Sequence, residues 1–298
     1  MATTAPEIIL KRLQTLKNHP TPDLKRVDRS LVFDHFPSRD GIDSNLLILL
    51  HGLGDTLQPF SHLGQSLYLP QTAVLALQAP KRVPLLEEDA YQWWDSFDSL
   101  GEIIHNPNPT ATLSLLTKVI EYLCAPLAPS SSSSSSSSNP SSSATSGCAW
   151  HPSQLHLVGF VQGGSCAAEL ALHWSRTHSP ESHLGSVISI SAPLLSHPTL
   201  SVKARTRAAV VYRRTTMEER MVGVASWKKG FESVKEIKLE GGRGREGMPR
   251  GMDEWREIMR FWSETLLRRS ATEMQGDVYE IAGGVPAAEA AGAKPPAK

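Results

Sequence analysis

Gly159-Phe160-Val161-Gln162-Gly163-Gly164 has the frame of a turn that presents a nucleophile, but no nucleophilic atom stands in it. A strand, a tight glycine-bounded turn and a helix are the context in which G-x-S-x-G lifts a serine oxygen above a sheet. Here the central position is Val161. A second glycine-rich turn, His51-Gly52-Leu53-Gly54-Asp55, directly follows the apolar run Leu46 to Leu50. Other reactive residue types are poorly placed. Ser165 lies one helical turn beyond Val161, so its side chain should face elsewhere, and Cys166 among alanines reads as inert packing. Asp55, Asp95 and Asp98 lack the His-x-x-x-His or Asp-x-Asp spacing of a metal site. No glycine pattern for a nucleotide is present either, so neither metal nor cofactor is expected.

The elements that must carry these turns are legible as periodicity. Leu31 to Phe36, Leu46 to Leu50, Ala73 to Leu77, Leu155 to Val158, Ser186 to Ile190, Arg207 to Tyr212 and Val234 to Leu239 read as short apolar strands. Between them lie helical patterns at Phe60 to Leu69, Thr110 to Leu123, Cys166 to Arg176, Met217 to Phe231 and Met252 to Leu267. Glu7 to Leu16 adds an amphipathic pattern through Ile8, Ile9, Leu13 and Leu16, which predicts an N-terminal helix. Strands alternating with helices imply an α/β fold, with a mostly parallel central sheet and helices on both faces. Ligands of such sheets sit at the carboxyl ends of the strands. Both glycine-rich turns belong on that edge.

Composition sets the outer bounds. Of 298 residues, the serine-rich stretch and the Ala/Gly/Pro-rich end bury too little apolar surface to offset their ordering entropy. The expected division is an N-terminal helical extension at 1–30, one α/β domain at 31–269 with a disordered insertion at 129–147, and a disordered tail at 270–298. Thirty basic and thirty acidic side chains give a net charge of zero, so no field favours nucleic acid. The clustered Lys/Arg between Lys203 and Arg269 are interleaved with acids and read as a solvated surface. Cys124, Cys148 and Cys166 form neither a disulfide framework nor a zinc pattern. Neither a secretory signal nor a transmembrane run is present. A soluble, cytoplasmic protein is expected.

His51-Gly52-Leu53-Gly54-Asp55-Thr56, Ala79-Pro80, Trp93-Trp94-Asp95 and the Gly159 to Gly164 turn stand in the order of the motifs of a known family. Over roughly Leu46 to Ala192 the chain resembles the phospholipase/carboxylesterase family, which includes the acyl-protein thioesterases, within the α/β-hydrolase fold. The resemblance implies that the backbone N–H groups of Leu53 and Gln162 form an oxyanion hole, framed by Gly52, Gly54 and Gly163. It implies a structural role for His51, and places Trp93, Trp94 and Phe97 at the mouth of an acyl-binding pocket, against the alternative of ordinary core packing.

The same resemblance exposes three departures. Val161 stands for the nucleophile. The turn after Tyr212, where the family carries its acid, reads Arg213-Arg214-Thr215-Thr216, with no carboxylate before Glu218 and Glu219. The last of eleven histidines is His197, so the loop before the final helix, Gly244 to Pro249, has no base. The chain order nucleophile, acid, histidine cannot be completed. The expected protein is a non-catalytic pseudo-hydrolase that binds an acyl or ester small molecule or a protein partner. The alternatives are an active ester or thioester hydrolase with an unconventional set, and a structural interaction module. A β-branched residue is especially poor in the positive-φ conformation of such an elbow, so the turn either relaxes or keeps its strain.

Overall fold

The computed structural model describes residues 9–13, 18–84, 86–98, 100–127, 146–198, 202–242, 247–270 and 278–282. Residues Asn18–Arg268 form one compact unit; the chain on either side of it forms another. Within the latter, strand β1 (Ile9–Leu13) pairs antiparallel with β11 (Val278–Ala282), in register Ile9 to Ala282 and Leu13 to Val278.

The larger unit is built on a seven-stranded sheet. Its strands are β2 (Phe33–Phe36), β3 (Asn45–Leu50), β4 (Thr72–Leu77), β7 (Leu155–Phe160), β8 (Ser186–Ile190), β9 (Arg207–Arg213) and β10 (Val234–Leu239). Their order is β10-β9-β8-β7-β3-β4-β2, parallel except where β2 pairs antiparallel with β4. A two-stranded ribbon, β5 (Lys81–Arg82) with β6 (Tyr91–Gln92), stands beside it in the chain.

Every residue of β3 and β4 is buried, because both faces of the sheet are covered. Leu46, Ile48 and Leu50 pack with helices α2 (Thr110–Cys124) and α3 (Gln162–Thr177). The alternating Leu47 and Leu49 pack on the other face with Phe60 of α1 (Leu57–Ser66) and Ile258, Phe261 and Trp262 of α6 (Gly251–Thr265). The expected architecture is the observed one.

Three expectations need correction. Within the pattern at Glu7 to Leu16, Ile9–Leu13 forms a strand, not a helix. Its partner lies more than two hundred residues away, and no local pattern reveals it. That partner falls in the stretch 270–298 read as unstructured, while Leu24, inside the predicted extension 1–30, is fully buried in the core of the larger unit. The helix expected over Met217 to Phe231 is two, α4 (Thr216–Val222) and α5 (Val224–Gly230), divided at Gly223, whose φ and ψ of 56° end α4 in a left-handed cap. Most of the insertion expected at 129–147 lies outside the described residues.

Candidate functional site

β7 runs into α3 through Val161, which has φ 48° and ψ −114°. The strained elbow is therefore kept, not relaxed. Its frame is backbone packing. The Val161 N–H donates to Ile190 O at 2.9 Å and the Ser165 N–H to Val161 O at 3.0 Å. A Cβ on Gly159 would meet Gly163 O at 2.1 Å, and one on Gly163 would meet Leu50 O at 2.2 Å and His51 O at 2.5 Å. Only glycine permits the first turn of α3 to dock this closely on β7 and on the end of β3. Helix geometry leaves the N–H groups of that turn, Gln162 included, without intrahelical acceptors.

The His51 loop closes against the same turn. His51 is fully buried. Its Nε2 lies 2.9 Å from the Ala79 N–H and 3.0 Å from Gln78 Nε2, so it accepts, and Nδ1 carries the proton donated to Gly52 O at 2.7 Å. Burial pushes its imidazole below the ordinary range. A neutral ring with both nitrogens engaged is a brace, not a base. Gly54 N–H donates to Tyr91 O at 2.9 Å, and Leu53 is 36% exposed at the tip of the turn.

The Gln162 side chain is engaged on the other side of the turn. Its side-chain Oε1 accepts from Trp93 N–H at 2.9 Å, and Nε2 donates to Ser96 Oγ at 2.5 Å and faces Trp94 O at 3.5 Å. The Trp93 indole N–H donates to His51 O at 2.8 Å. His51, Gly52, Gly163, Gln162 and Trp93 are thus brought together. Trp93 and Trp94 are 1% and 6% exposed, so the indoles lie in the core and not at a pocket mouth. Phe97 is half-buried and bridges to Ile103.

Neither reactive neighbour of the elbow faces outward. Ser165 Oγ donates to Pro193 O at 2.7 Å, and complete burial raises the Cys166 thiol well above its ordinary range. The three scattered acids act separately. Asp55 Oδ1 accepts from Thr56 N–H, Asp95 pairs with Lys81, and Asp98 Oδ1 accepts from Leu100 and Glu102 N–H. No group of three metal-binding side chains lies together among the described residues.

Where the acid and the base would be expected, a buried ion pair is found instead. Arg213 ends β9, and its residue is 1% exposed. Its Nη1 and Nη2 each reach a Glu254 oxygen at 3.0 Å, a bidentate pair with α6. The same nitrogens donate to Glu240 O at 3.0 Å and Met248 O at 3.2 Å. One guanidinium therefore ties the acid turn to both ends of the loop that lacks its histidine. Glu218, the first carboxylate after the turn, accepts on Oε2 from Arg213 N–H at 2.9 Å and from Ser191 Oγ at 3.1 Å. Ser191, at the end of β8 beside the elbow strand, also has positive φ, 50°. In the sequence Arg213 stands only as a departure from the family's acid turn. A strand-end Val-Val-Tyr-Arg-Arg carries no sign of which arginine turns inward.

A model of the phospholipase/carboxylesterase family matches residues 38–229. An uncharacterized hydrolase of Mycosarcoma maydis is 37% identical over 253 residues, covering 83% of this chain and 86% of that protein. An uncharacterized hydrolase of Schizosaccharomyces pombe is 30% identical over 81 residues, 26% of this chain and 34% of its own. Among solved structures, esterase PE8 superposes with a TM-score of 0.57 at 18% identity, over 79% of this chain and 99% of that one. The Zea mays acyl-protein thioesterase 2 does so with a TM-score of 0.54 at 16% identity, over 78% and 98%.

Proposed function

The chain belongs to the phospholipase/carboxylesterase family, and from that premise we propose that it is a non-catalytic member, which holds an acyl-type ligand at the elbow without cleaving it. The observation that carries this reading is Val161. The elbow keeps φ 48°, the conformation that would present a nucleophile, around a side chain that has none. Attack on an ester or thioester needs an oxygen or sulfur there, and a base to take its proton. The Leu53 and Gln162 N–H groups are the proposed contacts to the ligand carbonyl, since preorganised N–H dipoles favour a polarised oxygen. Arg213 and Glu254 support the same reading. They occupy the region of the acid and the base with a bidentate ion pair.

A cytoplasmic location belongs to the same proposal. Its support is three free cysteines, as in a reducing compartment.

The test is direct. Purified protein should neither hydrolyse p-nitrophenyl butyrate nor label with a fluorophosphonate probe, under conditions in which an active serine esterase does both. Turnover or stoichiometric labelling that persists after repurification would overturn the proposal, and the labelled residue would identify the replacement nucleophile.

A further inference from the structure

A second site lies at the opposite edge of the sheet from Val161, where β2 ends and β4 begins. Phe36 and Val74 face each other there in register. Between them and the end of α1 is a cavity of about 200 Å³, walled by Phe36, Leu69 and Val74 with Gln65 and Thr72 among them, and bordered by Arg39 and Tyr68. Its space equals about seven liquid-water volumes, enough for one ring or a short branched chain but not for a long acyl chain.

The border of this cavity is built from two loops locked to each other. Gln71 N–H donates to Asp40 Oδ2 at 2.7 Å, and Ser38 Oγ and Ile42 exchange hydrogen bonds of 2.7 and 2.9 Å. Tyr68 and Gln71, on either side of Leu69-Pro70, have φ of 49° and 50°. Two non-glycine residues in the left-handed region cost about 1–3 kcal/mol each, and such strain gathers at ligand clamps. The Arg39 guanidinium stacks on the Tyr68 ring, 3.7 Å from its centroid.

That stack determines what the site offers. Among the described residues, Arg39 has no hydrogen bond and no ion pair; Asp40, its neighbour, is directed at the Gln71 and Ile42 N–H groups. A guanidinium held face-on by an aromatic ring keeps its in-plane N–H fork available, in the geometry that pairs with two carboxylate oxygens. A recess whose walls are largely Phe36, Leu69 and Val74, beside a preorganised fork, matches a ligand with a compact apolar body and one carboxylate.

We propose that this cavity is a binding site for a small carboxylate with a compact apolar body, of the class of phenylacetate, separate from the elbow. A free acid and the carboxyl terminus of a peptide ending in Phe present the same chemistry. Titration calorimetry on the full chain should therefore use phenylacetate, phenylacetamide, and a tetrapeptide ending in Phe with a free or an amidated terminus. Saturable binding of phenylacetate or of the free-terminus peptide is expected, and whichever binds more tightly identifies the source. The amide counterparts should bind about tenfold more weakly or worse, the loss of roughly one charge-assisted pair. Arg39→Gln should lose the same factor, and Tyr68→Leu should weaken binding by releasing the fork. Arg29→Gln, which removes an equal charge elsewhere on the surface, should change nothing, and the melting temperature of each variant confirms its fold. Amides that bind as well as acids, Arg39→Gln with wild-type affinity, or no saturable binding of either acid would each overturn the proposal.

Discussion

Val161 combines a β-branched side chain with φ 48° and ψ −114°, a pairing that sterics disfavour by about 1–3 kcal/mol. Replacing it tests both the strain and the chemistry. Val161→Gly removes a half-buried side chain but also the clash of its Cβ with the backbone. We expect a net gain of about 1 kcal/mol in urea unfolding, since relief of strain exceeds the lost apolar contact. Val161→Ser restores the oxygen and nothing that could deprotonate it, so p-nitrophenyl ester hydrolysis should stay at background; robust turnover would mean that an unrecognised base faces the elbow. The identity of this residue and the absence of histidine beyond His197 were plain in the sequence. The role of Gln162 was legible only in part. Its backbone position followed from the motif, but its side chain's hold on Trp93 and Ser96 depends on a loop some seventy residues earlier in the chain.

Among the elements, two buried polar groups join pieces that the sheet alone does not fix. Arg213 links the end of β9 to the β10–α6 loop and to Glu254 on α6. Removing the guanidinium takes two charge-assisted hydrogen bonds from Glu254, which keeps the Arg250 N–H, and takes the donor from two loop carbonyls, so Arg213→Met should cost about 3–5 kcal/mol by chemical denaturation. Arg213→Met combined with Glu254→Leu should recover the part of that loss due to the Glu254 charge, but not the part due to the Glu240 and Met248 carbonyls. His156, on β7, reaches Ser186 on β8 at 2.8 Å and Asn45 on β3 at 3.2 Å. Burial pushes its imidazole from the ordinary 6.5 down to about 3. The unfolded chain therefore binds the extra proton first. The stability this group contributes is complete above about pH 6.5 and is lost as pH falls toward about 3. Between pH 7 and 5 the wild type should lose about 2 kcal/mol that His156→Gln does not, apart from the parallel effects of His35 and His51, both also depressed by burial. Neither arrangement could be read in advance. Strand periodicity gives the face a side chain takes, not the partner it finds across three strands.

At the scale of the whole molecule, Asn18–Arg268 is a compact unit by itself. A chain of 18–268 should unfold in one cooperative transition, followed by circular dichroism. Ending it before Leu267 should destabilise it, because Asn45 holds the Leu267 N–H at 2.8 Å and its carbonyl at 2.9 Å. The architecture was legible because each central strand is a continuous apolar run and each helix an amphipathic one, so local pattern and global layer agree. The pairing of β1 with β11 was not, since it joins distant ends of the chain through residues whose pattern also suits a helix. The close seating of α3 has a different kind of consequence. Gly159 and Gly163 are demanded by carbonyls little more than 2 Å from where a methyl would stand, whatever side chain occupies position 161. Purifying selection for folding alone would preserve the elbow's signature through a lineage that had stopped turning over substrate. A glycine pattern in such a lineage records ancestry, while the side chain at position 161, which these close contacts do not involve, is open to replacement.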